Sequence, residues 1–249
     1  MIIIKRFFIA MLLSALAAPA LYAQVGAMDE IVVTATRLAV ESPPSVYYTR
    51  KGDFLLLEVN IESDARDLAE RLTELEETID EFVAAAKKDE DISLSFIDEG
   101  DFVRPLTSVV YEDAIGFGSR PDTSVARVQV KTPIPDDVAD AFGLSRKLVT
   151  FVDDMEETGR VTISNNGEVT ISVVNPAQYR KDVVKIITDD VNAVTGALGP
   201  EYRVILEGLD QPMESFRSGD LSLSFYLPYE YIVIPDTLHS FRLELPEDY

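Results

Sequence analysis

The sequence predicts an α+β fold, a mostly antiparallel sheet carrying about three packed helices, and three observations lead there. Several runs of strand length are either apolar throughout or alternate apolar with polar residues. Three longer runs repeat apolar residues every three or four positions, which draws one stripe down one side of a helix. Their order is strand–helix–strand, then strand–helix–hairpin–helix–strands, which places helices on an antiparallel sheet.

The first strand is "DFLLLEVNIE" (53–62). Ser63 then stands as an N-cap for a helix with a stripe at Ala65, Leu68, Ala69, Leu72, Leu75, Ile79, Phe82, Val83 and Ala86. "KKDED" breaks that helix, and "ISLSFI" (92–97) alternates as a half-buried strand does. "AIGFGSRPD" (114–122) reads as the most flexible point in the chain. "SVARVQVKT" (124–132) alternates again, and Pro135 opens a second helix that runs to about Glu157 and closes at Gly159. Residues 160–174 read as a β-hairpin turning at Asn165-Asn166-Gly167. Asn175 caps a third helix with Pro176 in its first turn, a stripe from Tyr179 to Leu198, and Gly199 as its stop. "YRVILEGL" (202–209), "LSLSFYL" (221–227) and "EYIVIP" (230–235) complete the strands, and residues 236–249 form an acidic tail.

The N-terminus reads as an address. Lys5 and Arg6 precede an apolar run, Pro19 lies near its end, and small-residue cleavage patterns finish at Ala20 and Ala23. The run Phe7 to Ala23 is 17 residues, at the short edge of the ~17–25 that span a bilayer. Residues 1–23 are therefore expected to be a cleaved signal peptide, and the rest an exported, periplasmic or outer-membrane-associated protein. No later segment is apolar enough to span a membrane.

The chain has no cysteine, which excludes disulfides, thiol catalysis and thiolate metal sites. Its formal charge is −22, and removing Lys5 and Arg6 with the signal shifts it to −24. A surface this acidic repels nucleic acid, which is held by Lys and Arg displacing counterions. The same charge is compatible with a basic partner or with divalent cations.

Catalytic signatures are missing, so no catalytic, cofactor or metal residue is assigned. His239 is the only histidine and cannot build a typical zinc site or a histidine-dependent triad without cysteine or identifiable partners. "GFGSR" lacks the last glycine of a dinucleotide fingerprint, and "DEDISLSFIDEGD" (89–101) puts Leu94 where a calcium loop needs glycine. The acidic runs 87–93, 98–101, 153–157 and 188–190 read as helix ends and solvated loops. Tyr226, Tyr229 and Tyr231 around Pro228 read as core and edge packing, with a sugar-stacking platform as the alternative.

Two resemblances add to this. "GDFLLLEVNIESDARDLAERLTELEETIDEFV" (52–83), "SVARVQVKTPIPDDVADAFGLSRKLVTFV" (124–152) and "YRKDVVKIITDDVNAVTGALGPEYRVILEGLDQP" (179–212) resemble the strand–helix units of the SIMPL-like family of exported bacterial proteins. The glycine-rich opening of that family is replaced here by "ESPPSVYYTRK". The resemblance covers 46–235 and implies a non-enzymatic periplasmic domain, homo-oligomeric in some members, with no catalytic residues.

Ahead of that domain lies an extended leader, 24–45, ending in "ESPPS", where Pro43 and Pro44 forbid a helix. Within it, "DEIVVTATR" (Asp29, Glu30, Ile31, Val32, Val33, Thr34, Ala35, Thr36, Arg37) resembles the TonB box of TonB-dependent receptors, and sits shortly after signal cleavage as theirs does. That resemblance implies pairing with a strand of the TonB C-terminal domain by β-augmentation, with Ile31 to Thr34 as the pairing core. A complete receptor is excluded, because a barrel of about 22 strands of roughly ten residues would consume the whole chain and contains no such helices.

The expected function is thus an envelope adaptor engaging TonB. The alternatives are a self-assembling structural or stress protein with 29–37 in its sheet, and a hydrolase using paired carboxylates, which requires a buried acidic pair in a cleft.

Overall fold

The computed structural model describes residues 30–33, 45–100, 102–107 and 111–237. Residues 1–29, 34–44 and 238–249, which hold the expected signal peptide, most of the expected leader and His239, lie outside the described residues, whereas Asp236 at the start of the expected tail pairs with Arg203 at 2.8 Å. The architecture is α+β, and every strand pair is antiparallel.

The strands are β1 (Glu30–Val33), β2 (Tyr48–Lys51), β3 (Phe54–Ser63), β4 (Ser93–Ile97), β5 (Val103–Pro105), β6 (Ile115–Phe117), β7 (Ser124–Pro133), β8 (Val161–Val174), β9 (Tyr202–Glu207), β10 (Glu214–Arg217), β11 (Ser222–Tyr226) and β12 (Glu230–Pro235). The helices are α1 (Leu68–Ala86), α2 (Ala141–Asp153) and α3 (Arg180–Leu198). The main sheet runs β1-β8-β3-β7-β4-β5, with β6 pairing β7 beyond the end of β4. A second sheet runs β10-β11-β2, and β9 pairs β12 as a ribbon.

β3 is central because its run of leucines is apolar on both faces, with Leu55, Leu56 and Leu57 all buried. α1 and α2 cover one face of the main sheet and meet where Phe82 packs edge-on against Phe151, 6.0 Å between ring centres. α3 packs through Val183 and Ile187. Tyr48, Tyr179 and Phe225 stack at 5.8 Å spacings where the helix entry meets the second sheet. Gly52 joins β2 to β3, donating its N–H to Leu221 O at 2.9 Å.

Five local expectations are corrected. Residues 160–174 are one strand rather than a hairpin, since β3 is long enough to pair with both halves. The register steps from Leu57↔Val169 to Val59↔Asn165, so Asn166, Gly167 and Glu168 stand opposite Glu58 as a bulge. Gly167, at φ +68°, and its 2.8 Å bond to Asn165 Oδ1 serve that bulge as they would have served a turn.

The N-cap of α1 is Asp67, which accepts from the N–H groups of Ala69 and Glu70; Ser63 ends β3 instead and donates its hydroxyl to buried Glu74. α2 begins at Ala141, six residues after Pro135. Lys51 Nζ donates to the carbonyls of Pro135, Asp136 and Val138 at 2.7–3.1 Å, which holds that segment in a turn until Asp140 caps the helix. Asn175 is left-handed at φ 47° and makes no side-chain cap, and Pro176 opens a 3-10 turn before α3. Residues 114–122 are not simply loose, because β6 pairs with β7 there.

The stripe of α1 holds from Leu75 onward, where Ile79, Phe82 and Val83 are buried, but Leu68 and Leu72 are 56% and 40% exposed. Along this first half of α1 the sheet-facing positions are taken by Arg71 and Glu74. Arg71 donates to Ser124 Oγ and Ala65 O, and Glu74 accepts from Ser63 and from the Arg160 N–H. Two buried ionisable side chains of this kind are invisible to apolar periodicity, because their partners come from β3, the loop before α1, β7 and Arg160 just ahead of β8.

Candidate interaction site

Glu30–Val33 form β1, the outermost strand of the main sheet. Its register on β8 is Glu30↔Val174, Ile31↔Val173, Val32↔Ser172 and Val33↔Ile171. Ser172 O accepts from Asp53 N and Val174 N donates to Asp53 Oδ2, so these two residues direct backbone groups away from β1. Alternation then directs the backbone groups of Ile171 and Val173 toward β1. Among the described residues no strand pairs with the other edge of β1. Asp29, Thr34, Ala35, Thr36 and Arg37 lie outside the described residues.

The acidic runs do structural work. Asp89 and Asp91 hold Lys147 at 3.0 and 2.8 Å, tying the end of α1 to α2. Asp98 accepts from the N–H groups of Gly100 and Phe102 and pairs with Arg104, closing the β4–β5 turn, and its carboxyl is held below the usual range chiefly by the Phe102 bond. Asp189 pairs with Lys185 one turn away, and Asp190 accepts from Tyr229. A shallow cavity of about 380 Å³ lies between the end of α2 and β8, lined by Val152, Asp153, Met155, Glu157, Ile163 and Asn165. Its two carboxylates, Asp153 and Glu157, are both exposed, and Glu157 is engaged by the Ile163 N–H. Among the described residues no group of three or more His, Asp or Glu is placed to hold a metal ion, and no helix is long and apolar enough to cross a membrane.

The three tyrosines around Pro228 do not form one platform. Tyr226 donates to Glu214 and packs edge-on to Phe216, Tyr229 reaches across to Asp190 on α3, and Tyr231 lies exposed on β12. The carboxylate beside Tyr226, and burial at Tyr229 with the Asp190 charge, push both phenols up from 10 to about 12. A raised phenol favours the neutral form in the fold, so its contribution is complete below pH 10 and is lost as pH rises through 12. A tyrosinate absorbance titration should show these phenols ionising near 12, with the melting temperature falling steadily between pH 10 and 12.

No known protein family, curated protein or solved structure matches this chain.

Proposed function

We propose that this protein is a non-enzymatic adaptor of the cell envelope that engages the C-terminal domain of TonB through residues 29–37. The observation that carries the reading is the segment "DEIVVTATR", whose residues Glu30–Val33 already hold strand geometry at the outer edge of the main sheet. A strand in that position supports β-augmentation, in which a partner strand takes up the unpaired backbone edge and alternate side chains set register. The acidic charge and the export signal read from the sequence agree with an envelope role and with a partner that is not nucleic acid.

Calorimetric titration of the chain against purified TonB C-terminal domain tests this, with and without residues 24–37. Binding that vanishes with the deletion supports the adaptor; absence of binding in both forms overturns it.

The pairing of β1 with β8 favours a second reading, a structural envelope protein that uses this segment in its own sheet. In that case deletion lowers the melting temperature by several degrees, since about 1 kcal/mol moves the midpoint by ~2–4 °C in a domain of this size. Limited proteolysis then leaves 29–37 uncut until the domain unfolds.

A further inference from the structure

At the edge of the main sheet opposite β1, among the described residues, apolar side chains of α1 and β6 stand exposed. Phe117, at the end of β6, is 88% exposed, the most exposed large apolar side chain among the described residues. It pairs in register with Ser124, so both point to the face that carries α1, and Ser124 is itself bonded by Arg71 of α1. Phe117 therefore stands level with the first turns of α1. On that helix Leu68, Leu72 and Glu76 form one i, i+4 ridge. The hydroxyl of Tyr111, which immediately precedes the turn leading into β6, donates to the Glu76 carboxylate, so this ridge is the one facing β6. Exposed Leu68 and Leu72 on α1 and Phe117 on β6 thus share one side of the sheet, where half-buried Ile115, two residues before Phe117 on the same face, packs on the core.

The rim is acidic. Glu76 and Asp80 of α1 and Glu112 of the turn before β6 gather around the Tyr111 hydroxyl, and Asp113 follows Glu112 in that turn. The Tyr111 hydroxyl registers three of these charges: it is pushed up to about 12, first by its bond to Glu76, then by burial, then by the charges of Glu76, Glu112 and Asp80. The neighbouring cations are engaged elsewhere, Arg71 on Ser124 and Ala65, Arg120 on Asp64 and Asp122.

We infer that these apolar side chains form a docking surface for a cationic amphipathic segment of a partner protein. Leucines spaced by four with a facing phenylalanine accept the apolar stripe of an incoming helix, while the carboxylate rim meets its lysines and arginines. Charge complementarity sets the choice of occupant: an acidic or neutral helix would leave the rim carboxylates facing each other without compensation. This surface lies four strand spacings from β1, roughly 19 Å at about 4.8 Å each, so a partner here does not compete with one on β1. The surface does not depend on the TonB reading, and it supplies the second attachment an adaptor requires.

The test is titration of the full chain with a short Leu/Lys amphipathic helical peptide and, separately, its Leu/Glu counterpart. The Leu/Lys peptide should bind and weaken with added salt, and the Leu/Glu peptide should not bind. The variant Leu72→Ser with Phe117→Ser should weaken binding by about tenfold or more, as loss of two apolar anchors does. Both sites are exposed, so the melting temperature checks that the fold is retained. Glu112→Lys with Asp113→Lys should weaken it as well and flatten the salt dependence. Equal binding to the serine variant would mean unspecific attraction to an acidic protein and would overturn the inference. So would equal binding of the Leu/Glu peptide, or no binding at all.

Discussion

Phe82→Ala should destabilise the protein by about 3–5 kcal/mol, the range for truncating a fully buried phenylalanine. Phe82 has no exposed surface and lies where α1, α2 and the main sheet meet, its ring edge-on to Phe151. The size of the loss depends on whether the site can collapse, and here the walls are held. Asp67 caps α1 at one end, Glu74 anchors its middle to Ser63 and Arg160, and Lys147 ties its far end to α2 through Asp89 and Asp91. The cavity should therefore persist. Urea unfolding followed by circular dichroism should show a lower midpoint with an unchanged slope. Phe117→Ala, at an exposed position, should stay within about 0.5 kcal/mol on the same assay. A loss below about 1 kcal/mol at Phe82 would show that the seam between the two helices relaxes freely.

Gly208→Ala should cost about 2–4 kcal/mol, from two additive causes. Gly208 ends β9 at φ +85°, a conformation that an L side chain adopts only with strain. A Cβ there would also meet Pro228 O at 2.5 Å and Tyr229 Cα at 3.1 Å, backbone atoms that cannot swing aside. The turn it begins is held by Gln211 N to Gly208 O, and Arg180 of α3 binds the carbonyls of Leu209 and Gln211, so the displacement spreads into the α3 interface. Gly167 separates the two causes. Its φ is also positive, at +68°, but nothing lies within 4 Å of its added Cβ. Gly167→Ala should therefore show the conformational cost alone, about 1 kcal/mol. Equal losses at the two sites, read from denaturation midpoints, would refute the steric account of Gly208.

Much of the fold is legible in the chain. β3, β4, β7, β9, β11 and β12 fall on the apolar or alternating runs, and the latter part of α1 and the first half of α3 bury their stripes, because a residue's side in a regular element follows from spacing alone. Misreadings cluster where a distant residue decides. Asn165-Asn166-Gly167 has the chemistry of a tight turn, yet it becomes a bulge because β3 offers one continuous partner to both halves of β8. Pro135 has the chemistry of a helix start, yet Lys51 binds three carbonyls of the following segment and delays α2. At the candidate sites the division is similar. The "DEIVVTATR" segment is readable as a strand and as a recognition motif, whereas its pairing with β8 is a contact between residues about 140 positions apart.

Composition and short-range periodicity suffice for the α+β class, the cysteine-free acidic character and most element positions. Long-range packing alone sets β1 at a sheet edge and leaves Leu68 and Leu72 in solvent. Leucines at helical spacing are buried only where a sheet lies beneath them, and at the start of α1 the sheet-facing positions belong to Arg71 and Glu74.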